Sequence, residues 1–454
     1  MKIIIVGAGE VGFHLAEHLA DEQKDIVIID SDTAAVNHVL DNLDVQVITG
    51  SGSNPRILLD AGVESADILL AVTSSDETNL ATCLLSNLLA PSITKLARIR
   101  QSDFEPYFET LRDTPPNIDL IINPDIEVVK TIEAMLEIPG AVDVATFADG
   151  RLKFVGVYLT PHSVLANLQL FELPKLQNGR KLLLAAIIRD EKLIIPRGED
   201  KILPGDLIYF IAENEQISEI MSFFGRKLMP VKHMLIIGGG RVGHRLALSM
   251  ESKGVACKII EKDHNRCNQL SDRLNKTIVI NGDGSDEEIL QEENIQNMDA
   301  VVTLTGDEET NILVSLLARR LGAAKAIVRI DKFSYFPIMS AIGIEQVVSP
   351  RLSAINSILQ NIRKGKVISS IAIKGEQAEV METVALETAD IVGKPLKGIH
   401  FPHNAMVVGL LRGEETIIPD GNTVIVPNDR IIIFAQRDVI DKVEKILAVK
   451  LEFF

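Results

Sequence analysis

The sequence predicts an α/β protein in which a doubly wound parallel sheet occurs twice, each time followed by a small α+β module. Three observations carry this. The apolar stretch IIIVGAGEVGFHLAE near the N-terminus breaks into a glycine loop and resumes at helical spacing, and LIIGGGRVGHRLAL does the same from Leu235. Gly7, Gly9 and Gly12 match Gly238, Gly240 and Gly243 at an offset of 231 (238 − 7). The similarity then stays co-linear through a unit of about 125 residues, which marks a duplication and not a chance motif.

Each element of the first nucleotide-type unit follows from its pattern. KIIIV, DIVIID, VQVIT, DILLAV, LARI and DLIIN are short continuous apolar runs, suited to parallel strands covered on both faces. Amphipathic stretches such as VGFHLAEHLAD and ETNLATCLLSNLL alternate with them as helices. In the second copy VINGDGS (Val279 to Ser285) matches VITGSGS (Val47 to Ser53), TLTGDEETNI from Thr303 matches AVTSSDETNL from Ala71, and IVRID from Ile327 matches LARIR from Leu96. A second repeat pairs LIIPRGEDKILPGDLIYFIA from Leu193 with TIIPDGNTVIVPNDRIIIFA from Thr416, setting Pro204 against Pro427 and Asp206 against Asp429. These strand-rich segments with PxGD and PxND turns read as the small modules. The expected layout is residues 1–135 and 232–360 for the nucleotide-type units, with 140–225 and 368–453 for the modules. The basic, Pro-containing FGRKLMPVKH (Phe224 to His233) reads as the junction between halves.

Composition excludes several classes. The 454 residues carry a net charge of −17, which argues against nucleic acid and against adsorption to anionic lipid. No apolar run approaches the ~20 residues of a spanning helix, and the N-terminus enters a strand pattern with no export signal. The expectation is a cytoplasmic protein that any membrane partner must hold by protein contacts. Cys83, Cys257 and Cys267 are too few and too scattered for a disulfide framework or zinc site and read as free thiols.

The glycine loops follow a strand and open a helix, the Rossmann-like arrangement for a pyrophosphate. The first glycine permits the turn, the second leaves room for phosphate and the third allows close packing of helix on strand. The helix N-terminus offers N–H groups and partial positive charge. Asp30 and Glu261 lie 18 residues beyond the last loop glycine (30 − 12 and 261 − 243). A carboxylate there accepts hydrogen bonds from a ribose diol and disfavours a 2′-phosphate, so NADP is disfavoured while NAD, ATP and ADP are not distinguished. Thr73 with Ser74, and Thr305 with Gly306, follow the fourth strands; their hydroxyls either meet the ligand or cap the next helix, and capping is the favoured role for Ser74. Arg98 and Arg329 end the fifth strands facing the same crevice, where a buried guanidinium needs an anion. Arg100 is matched by Asp331, so the two clefts are expected to differ electrically.

Nothing suggests catalysis. His14, His18 and His38 fall on presumed helix surfaces, His400 and His403 in a loop, and no metal-binding or nucleophile motif stands out. An oxidoreductase with an unrecognised site and a scaffold that no longer binds nucleotide remain as alternatives to a nucleotide sensor.

GAGEVG, Asp30 and TSSDETN in the first half, with GGGRVG, Glu261 and TGDEETN in the second, give a chain that resembles the tandem RCK (KTN plus C-terminal) family, the peripheral subunits of bacterial Trk potassium-uptake systems. The resemblance covers essentially the whole sequence. It implies a regulatory ring, expected as a homotetramer, on the cytoplasmic face of the membrane beneath a TrkH-type channel subunit and gated by NAD/NADH or ATP/ADP. By position it implies that Gly7, Ala8, Gly9, Glu10, Val11, Asp30, Thr73, Ser74 and Arg98 line a first NAD(H) site. Gly238, Gly239, Gly240, Arg241, Val242, Glu261, Thr305 and Arg329 would line a second. Asp331 puts phosphate binding there in question.

Overall fold

Continuous apolar strands bury both faces only when helices cover a sheet from either side, and the chain does this twice. The computed structural model describes residues 1–177, 181–190, 192–226, 230–362, 369–373 and 377–447. It divides into two compact units, Met1–Val129 with Ser349–Ile362, and Lys130–Val348 with Arg363–Phe454.

In the first unit the order is β1 (Lys2–Val6), α1 (Glu10–Asp21), β2 (Asp25–Asp30), α2 (Thr33–Asn42), β3 (Gln46–Thr49), α3 (Pro55–Asp60), β4 (Ile68–Ala71), α4 (Asp76–Leu89), β5 (Thr94–Arg98), α5 (Phe108–Asp113) and β6 (Leu120–Ile122). The strands form a parallel six-stranded sheet in the order β3-β2-β1-β4-β5-β6. Ile3, Ile4, Ile5, Val27, Ile28, Leu69 and Leu70 are fully buried, as the unbroken apolar runs require. Strand order reverses between β1 and β4, so their carboxyl ends open a crevice. The first unit ends within α6 (Pro124–Glu137).

The second unit continues with β7 (Ala141–Phe147), β8 (Leu152–Tyr158), α7 (Leu173–Gln177), β9 (Leu182–Arg189), β10 (Lys192–Ile194), β11 (Leu207–Glu213) and α8 (Ile217–Phe223). These strands make an antiparallel sheet, β10-β9-β11-β8-β7. A second parallel sheet repeats the first in the order β14-β13-β12-β15-β16-β17. Its elements are β12 (His233–Ile237), α9 (Arg241–Ser252), β13 (Ala256–Glu261), α10 (His264–Arg273), β14 (Ile278–Asn281), α11 (Glu287–Glu292), β15 (Ala300–Thr303), α12 (Glu308–Arg320), β16 (Ala326–Arg329), α13 (Phe336–Ala341) and β17 (Gln346–Val348). The next helix, α14 (Pro350–Ile362), belongs to the first unit, where it packs along α1. The chain then forms β18 (Ser369–Ile373), β19 (Ala378–Val384), β20 (Ala405–Arg412), β21 (Glu415–Ile417), β22 (Arg430–Gln436) and α15 (Ile440–Leu447), with an antiparallel sheet β18-β19-β22-β20-β21.

The two antiparallel sheets share one core. Phe154, Tyr209 and Ile211 of the first module pack with Val380, Ile432 and Phe434 of the second, and the Phe154 and Phe434 rings lie 6.2 Å apart. The aligned aspartates play one role in each copy: Arg189 donates to both oxygens of Asp206 at 2.8 and 2.7 Å, and Arg412 to both of Asp429 at 2.9 and 2.8 Å. Each aspartate also accepts the backbone N–H three residues earlier, Leu203 or Val426, closing the Pro-containing turn.

One expectation is corrected here. His18 is 3% exposed and lies 3.9 Å from Glu22, itself buried. A helix surface is the sequence expectation for it, and the structure buries it instead on the packed side of α1. Lys227, Leu228 and Met229 of the junction segment lie outside the described residues.

Candidate functional site

The first crevice is assembled from the carboxyl ends of β1, β2, β4 and β5. Between β1 and α1 the chain turns at Gly7, whose φ of +112° suits a residue without Cβ. A Cβ on Gly12 would sit 1.8 Å from the Gly7 carbonyl oxygen, so helix and loop meet there as the fingerprint requires. A Cβ on Gly9 would meet nothing within 4 Å; the space above it is open. The helices α2, α3 and α4 are capped by the side chains of Asp32, Asn54 and Ser75, whereas Gly9 leaves the N-terminus of α1 with no side-chain cap. Its N–H groups and the helix dipole are thus presented to the crevice.

Asp30 ends β2 and does two jobs at once. Its Oδ2 accepts from Ala8 N at 2.6 Å and its Oδ1 from Asp32 N at 2.8 Å. These bonds fix the glycine loop against β2 and leave further lone pairs for a diol. Glu261 repeats the pattern on Gly239 N at 2.7 Å and Asp263 N at 2.8 Å.

Past β4, the Thr73 hydroxyl donates to Asn79 Oδ1 at 2.7 Å, and Thr73 N donates to the same oxygen at 3.0 Å. Asn79 is fully buried and donates in turn to the Arg98 carbonyl at 2.8 Å. It pins the turn after β4 to the end of β5. In the second half Asn311 binds Thr305 and the Arg329 carbonyl in the same way. Sequence reasoning missed both asparagines as site residues, although the repeated ETN of the aligned motifs was the signal. Ser74 does not cap α4; it is exposed on the turn, and Ser75 accepts from Thr78 N at 3.1 Å. In the second half Asp307 takes the capping place, at 2.9 Å from Thr310 N.

The two clefts differ most at their arginines. Arg98 is 7% exposed, its Nη1 reaches only the Val72 carbonyl at 3.4 Å, and its Nε has no partner among the described residues. Burial, with Arg100 adding repulsion, pulls the guanidinium down to a pKa of about 10, while Asp76 and Asp125 oppose the shift. Relative to an ordinary arginine, holding that charge costs on the order of 3 kcal/mol. A phosphate would relieve it. Arg329, by contrast, donates to Asp331 at 2.7 Å. Arg266, which the sequence reading did not single out, donates from α10 to the Gly239 carbonyl at 2.8 Å and further occupies the second loop.

The residues present therefore fit a pyrophosphate-bearing nucleotide in the first cleft: an open glycine, an uncapped helix, a carboxylate on one flank and, on the other, a buried cation that no carboxylate bonds directly among the described residues. Among the described residues no cluster of three or more His, Cys, Asp or Glu is placed to hold a metal ion.

A TrkA-N domain family model matches residues 3–124 and 234–350, and a TrkA-C domain model matches residues 154–225 and 380–448. The chain belongs to the TrkA family. The Trk system potassium uptake protein TrkA of Azorhizobium caulinodans is 35% identical over 459 residues, covering 100% of both chains. The Trk system potassium uptake protein TrkA homolog 1 of Methanosarcina mazei is 37% identical, covering 98% of this chain and 99% of that one. Among solved structures, the GsuK channel bound to NAD superposes with a TM-score of 0.60 at 20% identity, covering 98% of this chain and 78% of that one. That likeness establishes the tandem fold. TrkA-family relatives are named as potassium uptake proteins and not as enzymes. No helix among the described residues is long and apolar enough to cross a membrane.

Proposed function

We propose that this TrkA-family chain is the cytosolic regulatory subunit of a potassium-uptake system, and that nucleotide in the first cleft controls a TrkH-type membrane subunit. The observation that carries the reading is the buried Arg98, with no carboxylate hydrogen-bonded to it among the described residues, in the same crevice as the open N-terminus of α1. The adenosine ribose would sit on Asp30, the pyrophosphate over Gly9 and α1, and the distal part of the ligand against Arg98. Gly7, Ala8, Glu10, Val11 and Thr73 complete that site. NAD, NADH, ATP and ADP all present the ribose and pyrophosphate it recognises.

The chain would self-associate into a ring, taken as a homotetramer, on the cytoplasmic face of the membrane. Control needs only that a nucleotide bind one ring state better than another. A typical coupling is about 1–3 kcal/mol. The second cleft, with Arg329 already paired and Arg266 on its loop, is the weaker site for a phosphate and serves mainly assembly. No bond is made or broken in this scheme.

Calorimetric titration of the purified protein with NAD, NADH, ATP and ADP tests it, repeated on Asp30→Ala and Glu261→Ala. Binding by the wild type that is lost with Asp30→Ala and kept with Glu261→Ala is expected. Loss of part of the stoichiometry with each variant would mean two working sensors, and no binding by the wild type would overturn the reading in favour of a scaffold.

A further inference from the structure

The helix α14 follows the entire second parallel sheet in sequence, yet it packs along α1 of the first. Its second residue, Arg351, places Nη1 3.6 Å from Oε2 of Glu10. Glu10 is the first residue of α1 and directly follows the open Gly9. The charge of Arg351 also bears on Arg98, adding to the repulsion that lowers that guanidinium's pKa. Arg98 at the end of β5 and Arg351 at the start of α14, far apart in sequence, thus both bear on the first crevice.

We propose that Arg351 is a specificity-determining residue of the first cleft, binding the phosphate farthest from the ribose and so favouring nucleoside triphosphates over dinucleotides. The inference rests on the reading that the first cleft binds nucleotide. The strand order supplies the direction. Asp30 ends β2 and Arg98 ends β5, on opposite sides of the central β1 and β4. A ligand with its ribose on Asp30 extends its phosphate chain across Gly9 toward Arg98, and Arg351 stands on that path, beside the first residue of α1 and close enough for its charge to act on Arg98.

In the absence of ligand, Glu10 provides the carboxylate that Arg351 meets. Its side chain is 56% exposed and that of Arg351 is 34% exposed, and ion pairs in such settings are weak. A phosphate oxygen, more highly charged and able to take two guanidinium N–H groups, displaces the carboxylate readily. NAD places a second nucleoside at the far end, where an extra anion is missing.

The test is calorimetric titration of the full-length protein with ATP, ADP, AMP and NAD, on wild type, Arg351→Ala, Arg351→Lys and Glu10→Gln, with ligand-free melting curves for each. Arg351→Ala is expected to weaken ATP about tenfold, the scale of one lost charge-assisted hydrogen bond, and AMP and NAD by less than about threefold. Arg351→Lys should restore part of the ATP affinity, and Glu10→Gln should raise it by removing the competing carboxylate. An equal loss for all four ligands would assign Arg351 to docking of α14 alone and overturn the proposal, as would unchanged ATP binding. Failure of the wild type to bind any nucleotide overturns the cleft reading itself; NAD binding that survives with no ATP preference overturns only the role of Arg351.

Discussion

Arg329 donates to Asp331 at 2.7 Å, whereas Arg98, at the equivalent strand end, reaches only a carbonyl oxygen. One substitution in the duplicated motif, an aspartate where the first half has Arg100, neutralises the second cleft from within. The two sheets have the same strand order, so this difference is electrostatic and not one of topology.

Asp331→Ala should therefore awaken the second cleft. In an Asp30→Ala background, which disables the first, the added change is expected to produce ADP or ATP binding that the single variant lacks. Titration calorimetry measures this directly. No gain would show that Arg266 on the loop, not the Arg329 pair, closes the site.

Arg98→Met exchanges a buried, poorly paired charge for an apolar chain of similar length. Ligand-free protein is expected to be unchanged or more stable by about 1–3 kcal/mol, as replacements of buried ions often are. The same variant should lose the rise in melting temperature that nucleotide gives the wild type. A destabilised variant that still responds to nucleotide would contradict the role assigned to Arg98.

Asn79→Ala removes one side chain that holds Thr73 and the end of β5 together. Leaving those buried groups unpaired should cost roughly 2–3 kcal/mol and weaken nucleotide binding in the first half. Asn311→Ala should cost a similar amount with little effect on first-site affinity. Denaturation midpoints and titrations on the pair separate the two effects.

Lys325 directly precedes β16, and burial holds its ammonium down to about 8, with Asp299 opposing the shift. The folded value lies below the ordinary 10.5, so between about pH 8 and 10.5 the unfolded chain binds the extra proton. Stability from this group rises with pH across that window. Lys325→Met should raise the melting temperature at pH 7, and its advantage over wild type should shrink as pH approaches 10. A constant difference from pH 7 to 10 would refute this.

Much of the candidate site is legible in the sequence. Gly7, Gly9, Gly12 and Asp30 are local requirements of one strand–turn–helix and of the next strand's end, so spacing alone exposes them. The charge difference at Asp331 was visible in the aligned repeats. The role of Asn79 is not legible in its motif, because its work is to join two strand ends that sequence does not place side by side. The capping residue was missed by one position, Ser75 for Ser74, since which hydroxyl faces the helix depends on the backbone of the turn. The burial of His18 is not legible in the sequence, because helical periodicity does not say how much of a helix its tertiary neighbours cover.

The sequence by itself determined the duplication, the parallel sheets and the chemistry of the loops, because periodicity and glycine spacing are set by neighbours along the chain. Tertiary structure alone decided which arginine is paired, that both small modules share a core around Phe154 and Phe434, and that α14 brings Arg351 to Glu10 across more than three hundred residues (351 − 10 = 341). Those outcomes depend on which surfaces bury one another, and no local pattern encodes the partner of a packed helix.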